Sequence, residues 1–210
     1  MPRPPTATKE DILVETRQRL LETATAEFAN NGFASANINQ ISTLSGYAKG
    51  TIYNYFPSKR SLMLALIDEI GTKHTEFIVT QVMSEDDPLL RVRQFFRAGF
   101  AFVEQHPLQA RIAISIVYGH DEEFKRRIYQ TYQRLFDLII QDIVESGIAH
   151  SNFKPVDPDA IAGMIMSLYL GSCSQLDSEG RIFFDPDQVA TFALEGLTVR
   201  TGPQEQEQIP

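Results

Sequence analysis

The chain has one cysteine and no tryptophan in 210 residues. A lone thiol, Cys173, cannot build an internal disulfide framework, and this shortage fits a reducing compartment. Long apolar runs are missing too. The longest nearly uncharged stretch, Ala160 to Cys173, is 14 residues, short of the ~20 that a membrane-spanning helix needs. No basic-then-apolar leader opens the sequence, so a cytoplasmic location is expected. Also absent are GxGxxG, GxxxxGK[ST], HExxH and paired cysteines, the motifs that would hold a dinucleotide, a phosphate or a zinc ion. The four histidines, His74, His106, His120 and His150, are far apart. The acidic runs Glu85-Asp86-Asp87 and Asp121-Glu122-Glu123 coincide with predicted helix starts, where the helix dipole accounts for them. The expectation is a protein without catalytic residues, metal or cofactor.

Positive charge is scarce overall, with a net −8, but it is unevenly spread. Residues 1–60 carry seven Lys and Arg against five acids, a net +2, and the remainder carries −10. A mildly basic head on an acidic body would turn the head toward a polyanion.

What the head contains is one dense stretch from Asn37 to Lys59. Asn37 is a good N-cap, because its side-chain oxygen accepts from the free N–H groups of a first turn. Ile38, Ile41, Leu44 and Ser45 follow at helical spacing, and Gly46 stops the helix through its access to the left-handed conformation. A second short helix runs from Lys49 to Tyr55 and ends at Phe56-Pro57, where proline disfavours helix for the residue before it. Ser58 then caps a longer helix. Two short helices joined at a glycine, the second polar and aromatic, predict a helix-turn-helix. A preceding helix from about Lys9 to Asn30 braces it, with Leu13, Leu20, Ala24 and Phe28 inward, ended by Asn31-Gly32.

The residues from Ser45 to Lys59, SGYAKGTIYNYFPSK, and the run Phe28 to Phe33 before them resemble the DNA-binding signature of TetR-family transcriptional regulators. The likeness covers about the first third of the chain. Asn37 stands where Thr is common and Tyr47 where a small aliphatic is usual. The resemblance implies an all-helical homodimeric repressor with a ligand-binding C-terminal domain. On a recognition helix the N-terminal residues face base edges, which makes Lys49, Gly50 and Thr51 candidates. Lys donates to guanine O6 and N7. The resemblance also assigns phosphate contacts to Thr51, Tyr53, Tyr55 and Lys59 and a contact to Asn39, with Asn54 facing a base. Ile52 and Phe56 are expected in the core.

Beyond Ser58 the pattern remains helical. A connecting helix is expected from Lys59 to Met83, then others over Leu89–Gln105, Leu108–Tyr118 and Glu122–Glu145, the last ended by Ser146-Gly147. Asp157-Pro158 and Asp185-Pro186 start two more, the second reaching about Arg200. Gly163, Ser167 and Gly171 recur every fourth residue, a strip where another helix can come close. With Phe192, Gly196 and Val199 it is either ordinary intrachain packing or, as the resemblance implies, a dimer interface. Phe77, Phe96, Phe100, Tyr118, Met166 and Tyr169 are candidates to line a site for a hydrophobic or aromatic ligand, although such residues are more often plain core. Arg111, in an apolar helix, needs an acidic partner: a ligand carboxylate, or Asp or Glu from a neighbouring helix.

The predicted fold is all-α with about nine helices. Residues 1–9 form a flexible lead, 10–58 the helix-turn-helix domain (with the connecting helix to about 74), 59–201 a ligand-binding and dimerisation domain, and 202–210 a disordered tail. The expected partners are double-stranded DNA with a palindromic operator, a second copy and a small ligand, with no membrane. The expected function is an operator-binding regulator, a repressor released by that ligand. The competing class is a helical carrier or protein-interaction module with a purely structural helix-turn-helix.

Overall fold

The computed structural model describes residues 8–179 and 181–199. The expected flexible lead up to residue 7 and the tail from residue 202 lie outside the described residues, and the last helix, expected to reach about Arg200, ends at Leu197, where Thr198 turns extended. Among the described residues every named element is helical, and the only extended pairings are the single bridges Phe153–Thr198 and Leu176–Ile182.

The helices fall into two compact units that do not follow the chain in order. One takes the described residues up to Lys73 together with His106–Tyr132; the other takes His74–Gln105 and the residues from Gln133 onward.

In the first unit, α1 (Lys9–Ser35) opens with a capping box between Thr8 and Asp11. Gly32, at φ 70°, breaks it as expected, and a further turn carries the helix on to Ser35. Leu20, Leu21, Ala24 and Phe28 are buried, but Leu13 is 46% exposed, so the inward stripe starts a turn and more later than predicted. α2 (Ile38–Ser45) is capped by Asn37 and closed by Gly46 at φ 77°. α3 (Lys49–Tyr55) ends at Phe56, and α4 (Lys59–Val82) starts where Ser58 Oγ accepts from the N–H of Ser61. The core joins Leu20, Phe28, Ile41, Ile52 and Phe56 to Leu62 and Leu66 of α4, to Ile112 and Ile116 of α6 (Pro107–Val117), and to Phe124 and Ile128 of α7 (Glu122–Thr131).

In the second unit, α5 (Pro88–Gln105) buries Phe95, Phe96, Phe100 and Phe102. It is tied to α11 (Pro186–Leu197) by Arg93 to Thr191 and by a two-pronged bond from Arg97 to Asp187. α10 (Pro158–Cys173) buries Ile165, Met166, Tyr169 and Cys173. Burial pushes the Cys173 thiol up to about 12, so it stays protonated and acts as filler.

The single helix expected over Glu122–Glu145 is in pieces. α7 ends at Thr131, α8 (Gln133–Asp137) follows, then a π-helical stretch over Leu138–Glu145, then α9 (Ser146–Ala149). Arg91 donates to the carbonyl of Asp142 within that stretch and to the carbonyl of Glu85. Gly147 does not stop the helix. A Cβ there would lie 2.1 Å from the Phe153 ring, so glycine is required by close packing.

Candidate nucleic-acid interface

The predicted DNA-contact residues divide by what their side chains touch. Ile52 (1% exposed) and Phe56 (4%) anchor α3 in the core. That anchoring turns Lys49, Gly50, Tyr53 and Asn54 outward, all exposed. Lys49 Nζ stands 6.0 Å from the centroid of the Tyr53 ring, so cation and aromatic share one face. A Cβ on Gly50 would meet nothing within 4 Å. No packing among the described residues demands glycine here. Thr51 is half-buried. Tyr55 is half-buried with its ring against the core, so it is a packing residue first. Asn39 is exposed in the first turn of α2, its N–H held by the Asn37 side chain at 2.9 Å.

Lys59, an expected phosphate contact, is engaged by its own chain. Its ammonium donates to the carbonyls of Ala34 and Ala36 at 2.9 and 3.1 Å and lies 5.0 Å from the centre of the Phe33 ring. The break at Gly32 leaves carbonyls at the end of α1 that helix geometry cannot satisfy, and Lys59 caps them. The sequence shows a lysine beside a helix start; it does not show that the end of α1, 25 residues earlier, supplies an acceptor.

Three features escaped the sequence reading. Glu27, 4% exposed, accepts from the N–H of Asn37 at 2.8 Å, so a buried carboxylate fixes the entry to α2. Tyr47 fits the turn by sending its hydroxyl to Thr16 Oγ1 at 3.4 Å, while its carbonyl accepts from Ser42 Oγ at 2.6 Å. Gln40, Thr43 and Leu44 (60% exposed) line the outer side of α2 beside Asn39.

The candidate ligand residues do not assemble as one set. Phe96, Phe100, Met166 and Tyr169 are buried in the second unit, with Phe77 half-buried. The Tyr169 hydroxyl is 2.9 Å from His74 Nε2 and 3.2 Å from the Gly99 carbonyl oxygen. Arg111 and Tyr118 belong to the first unit and are exposed. Arg111 bonds a neutral amide, Asn30 Oδ1, at 3.4 Å. Neither expected acidic partner is needed, because its side of α6 faces water and no charge is desolvated.

The small-residue strip has a clearer outcome. Gly163, Ser167, Phe192 and Gly196 line an open groove of about 1030 Å³ along α10 and α11, with Met164 beside them. Ser167, Gly171 and Phe192 line a second groove of about 440 Å³ with Phe184. Phe192 is 70% exposed, Met164 65% and Val199 51%. A Cβ at Gly163, Gly171 or Gly196 would meet nothing within 4 Å. Among the described residues no side-chain packing accounts for these glycines.

The family model described as bacterial regulatory proteins, tetR family, matches residues 20–66. The uncharacterized HTH-type transcriptional regulator YhgD of Bacillus subtilis (strain 168) is 26% identical over 161 residues, 75% of this chain and 82% of that one. The HTH-type transcriptional repressor KstR2 of Mycobacterium tuberculosis (strain ATCC 25618 / H37Rv) is 26% identical over 156 residues, 69% and 73% of the two chains. Among solved structures, AibR in complex with isovaleryl coenzyme A and operator DNA superposes with a TM-score of 0.69 at 19% identity, covering 87% of this chain and 98% of that one. No helix among the described residues is long and apolar enough to cross a membrane.

Proposed function

We propose that the chain is a TetR-family transcriptional regulator, as its match to that family over residues 20–66 supports, and that it binds an operator as a homodimer and represses transcription until a small molecule releases it. The observation that carries the reading is the outward set Lys49, Gly50, Tyr53 and Asn54 on a helix pinned from behind by Ile52 and Phe56. A structural helix-turn-helix has no use for an exposed lysine, an unpacked glycine and a ring on one face. In a major groove each has one: Lys49 toward base acceptors, Gly50 toward close approach, Tyr53 toward phosphate. Thr51 and Asn39 stand at the margins of this surface. Tyr55 acts through packing and Lys59 through the end of α1.

The second copy follows from the same logic. A two-fold protein reads two half-sites in successive major grooves, roughly 34–36 Å apart. The exposed face of α10 and α11, with Phe192, Met164 and three unpacked glycines, is the surface we assign to the partner. The ligand would be apolar and enter among Phe96, Phe100, Met166 and Tyr169. KstR2 and AibR are precedents for repression and for binding an organic ligand together with operator DNA. We place the protein in the cytoplasm and assign it no catalysis. Ligand binding would shift α4, which continues from one unit into the other. A coupling of about 1–3 kcal/mol is enough to weaken the operator complex.

The deciding experiment selects duplexes from a random pool and measures affinity against salt. A DNA-binding regulator retains a defined sequence, and its affinity falls steeply as added salt weakens the gain from counterion release. A carrier or interaction module shows neither retention nor slope.

A further inference from the structure

α4 and α7 lie side by side in the first unit and run parallel, fastened at three levels. At the first, Arg60 Nη2 meets Asp121 Oδ2 at 2.8 Å and Nη1 meets Glu123 Oε2 at 2.7 Å, with the guanidinium 4.6 Å from the Phe124 ring centre. At the second, two turns on, Asp68 accepts from Arg127 Nε at 2.6 Å and from Thr131 Oγ1 at 3.2 Å. At the third, Gly71 faces Thr131, where a Cβ would come within 2.3 Å of the threonine methyl. Asp121 serves two ends at once, because its Oδ1 also accepts from the N–H groups of Glu123 and Phe124 and so caps α7.

Exposed ion pairs contribute little to stability singly. A forked guanidinium, a shared cap and a glycine contact spread over about 16 Å of helix do something else: they fix the direction of one helix against the other. Arg60 sits four residues after Phe56, the core residue that closes α3. The Arg60 hydrogen bond holds the Asp121 carboxyl below its usual range, so the strap is intact at neutral pH and lost as pH falls through that lowered value.

We infer that Arg60 is a positioning residue for DNA recognition: it ties the root of the recognition helix to the N-cap of α7, so that displacement of α7 re-aims α3. This rests on α3 being the DNA-reading helix. A strap made of carboxylates has a useful property for a test. Removing Asp68, Asp121 and Glu123 deletes three negative charges, which by electrostatics alone tightens binding to any duplex. A loss of affinity confined to the operator then comes from a misdirected α3.

The test uses the full-length triple variant Asp68→Asn/Asp121→Asn/Glu123→Gln, in which the amide introduced at position 121 can still cap α7. Affinity is measured by anisotropy on a selected operator and on random duplex, with the melting temperature alongside. The expected result is a drop of about tenfold on the operator, within the range of site-to-site coupling, with random-duplex affinity equal or higher. Arg60→Lys, which keeps the charge and loses the fork, should fall in the same direction. Equal or tighter operator binding by the strap variants overturns the inference and leaves the functional reading standing. Wild-type protein that cannot tell operator from random duplex overturns both. If the triple variant does not fold, Asp121→Asn alone carries the same test with the same outcomes.

Discussion

Two faces of this protein are left uncovered by the described residues, and their chemistry is opposite. The outer side of α3 carries a cation, an amide and a phenol around a bare glycine; the outer side of α10 and α11 carries Phe192, Met164 and Val199 around three. Glycine does the same thing on both, thinning the surface so that something can approach closely. The surrounding side chains decide what that is. Polar donors that keep their water until a partner replaces it suit a hydrated polyanion. Exposed apolar rings gain by losing water, and a second copy of the same strip supplies an equally apolar, equally thin surface.

The comparison breaks most severely at Phe192. Phe192→Arg places a charge in the middle of the apolar face, where it would be desolvated without a partner. The protomer should fold normally, since the native ring is 70% exposed. Dimerisation should be lost at micromolar concentrations, and operator affinity should drop at least about a hundredfold because one head holds only one half-site. Sedimentation together with anisotropy checks both. A variant that stays dimeric would move the interface elsewhere.

Next in size is Lys49→Ala. A side chain reading a base edge costs about 1–3 kcal/mol when removed, relaxes preference at one base pair and lowers the salt slope by about one. Competition between the selected operator and single-base variants is the measurement. Equal loss on every sequence would return Lys49 to the phosphate backbone.

Much of the first face was legible because its signals are local. Asn37, Gly46 and Pro57 cap, stop and break helices through chemistry confined to a few residues, and all three act as the sequence predicts. The strip on α10 was legible because its four-residue spacing is a property of one helix. What escaped depends on chain segments meeting over long separations. α6 and α7 join α1 in one unit through Ile112, Ile116, Phe124 and Ile128, and nothing local in their sequence announces that partner. Arg111 looked like a buried charge because its helix is apolar, yet it projects from the wet side. Gly147 looked like a stop because its contact, Phe153, lies beyond the helix it was expected to end.

Lys59 tests where local reading gives way to packing. As a phosphate ligand, Lys59→Met would lower the salt slope as Lys49→Ala does. Bonded to two carbonyls at the end of α1, it should instead destabilise the head by about 1–3 kcal/mol when replaced, the scale of hydrogen bonds to a charged group. The slope should stay within error of wild type. Chemical denaturation and the salt titration together separate the two roles, and a slope change without a stability change would restore Lys59 to the DNA surface.

The smallest expected effect is the most discriminating, because it should have opposite signs in two measurements. In a helix interior, glycine costs about 0.5–1 kcal/mol relative to alanine. Gly163 faces open space, so the methyl of Gly163→Ala clashes with nothing in its own chain. The protomer should therefore gain roughly that amount in denaturant unfolding, measured on a background already made monomeric by Phe192→Arg. If α10 meets its copy at this strip, the same methyl holds the two helices apart, and dimer affinity should fall in the otherwise native chain. Stability and association moving in opposite directions would place the partner over Gly163. If both rise, or association does not change, the glycine is there for some other reason and the apolar face is covered without it.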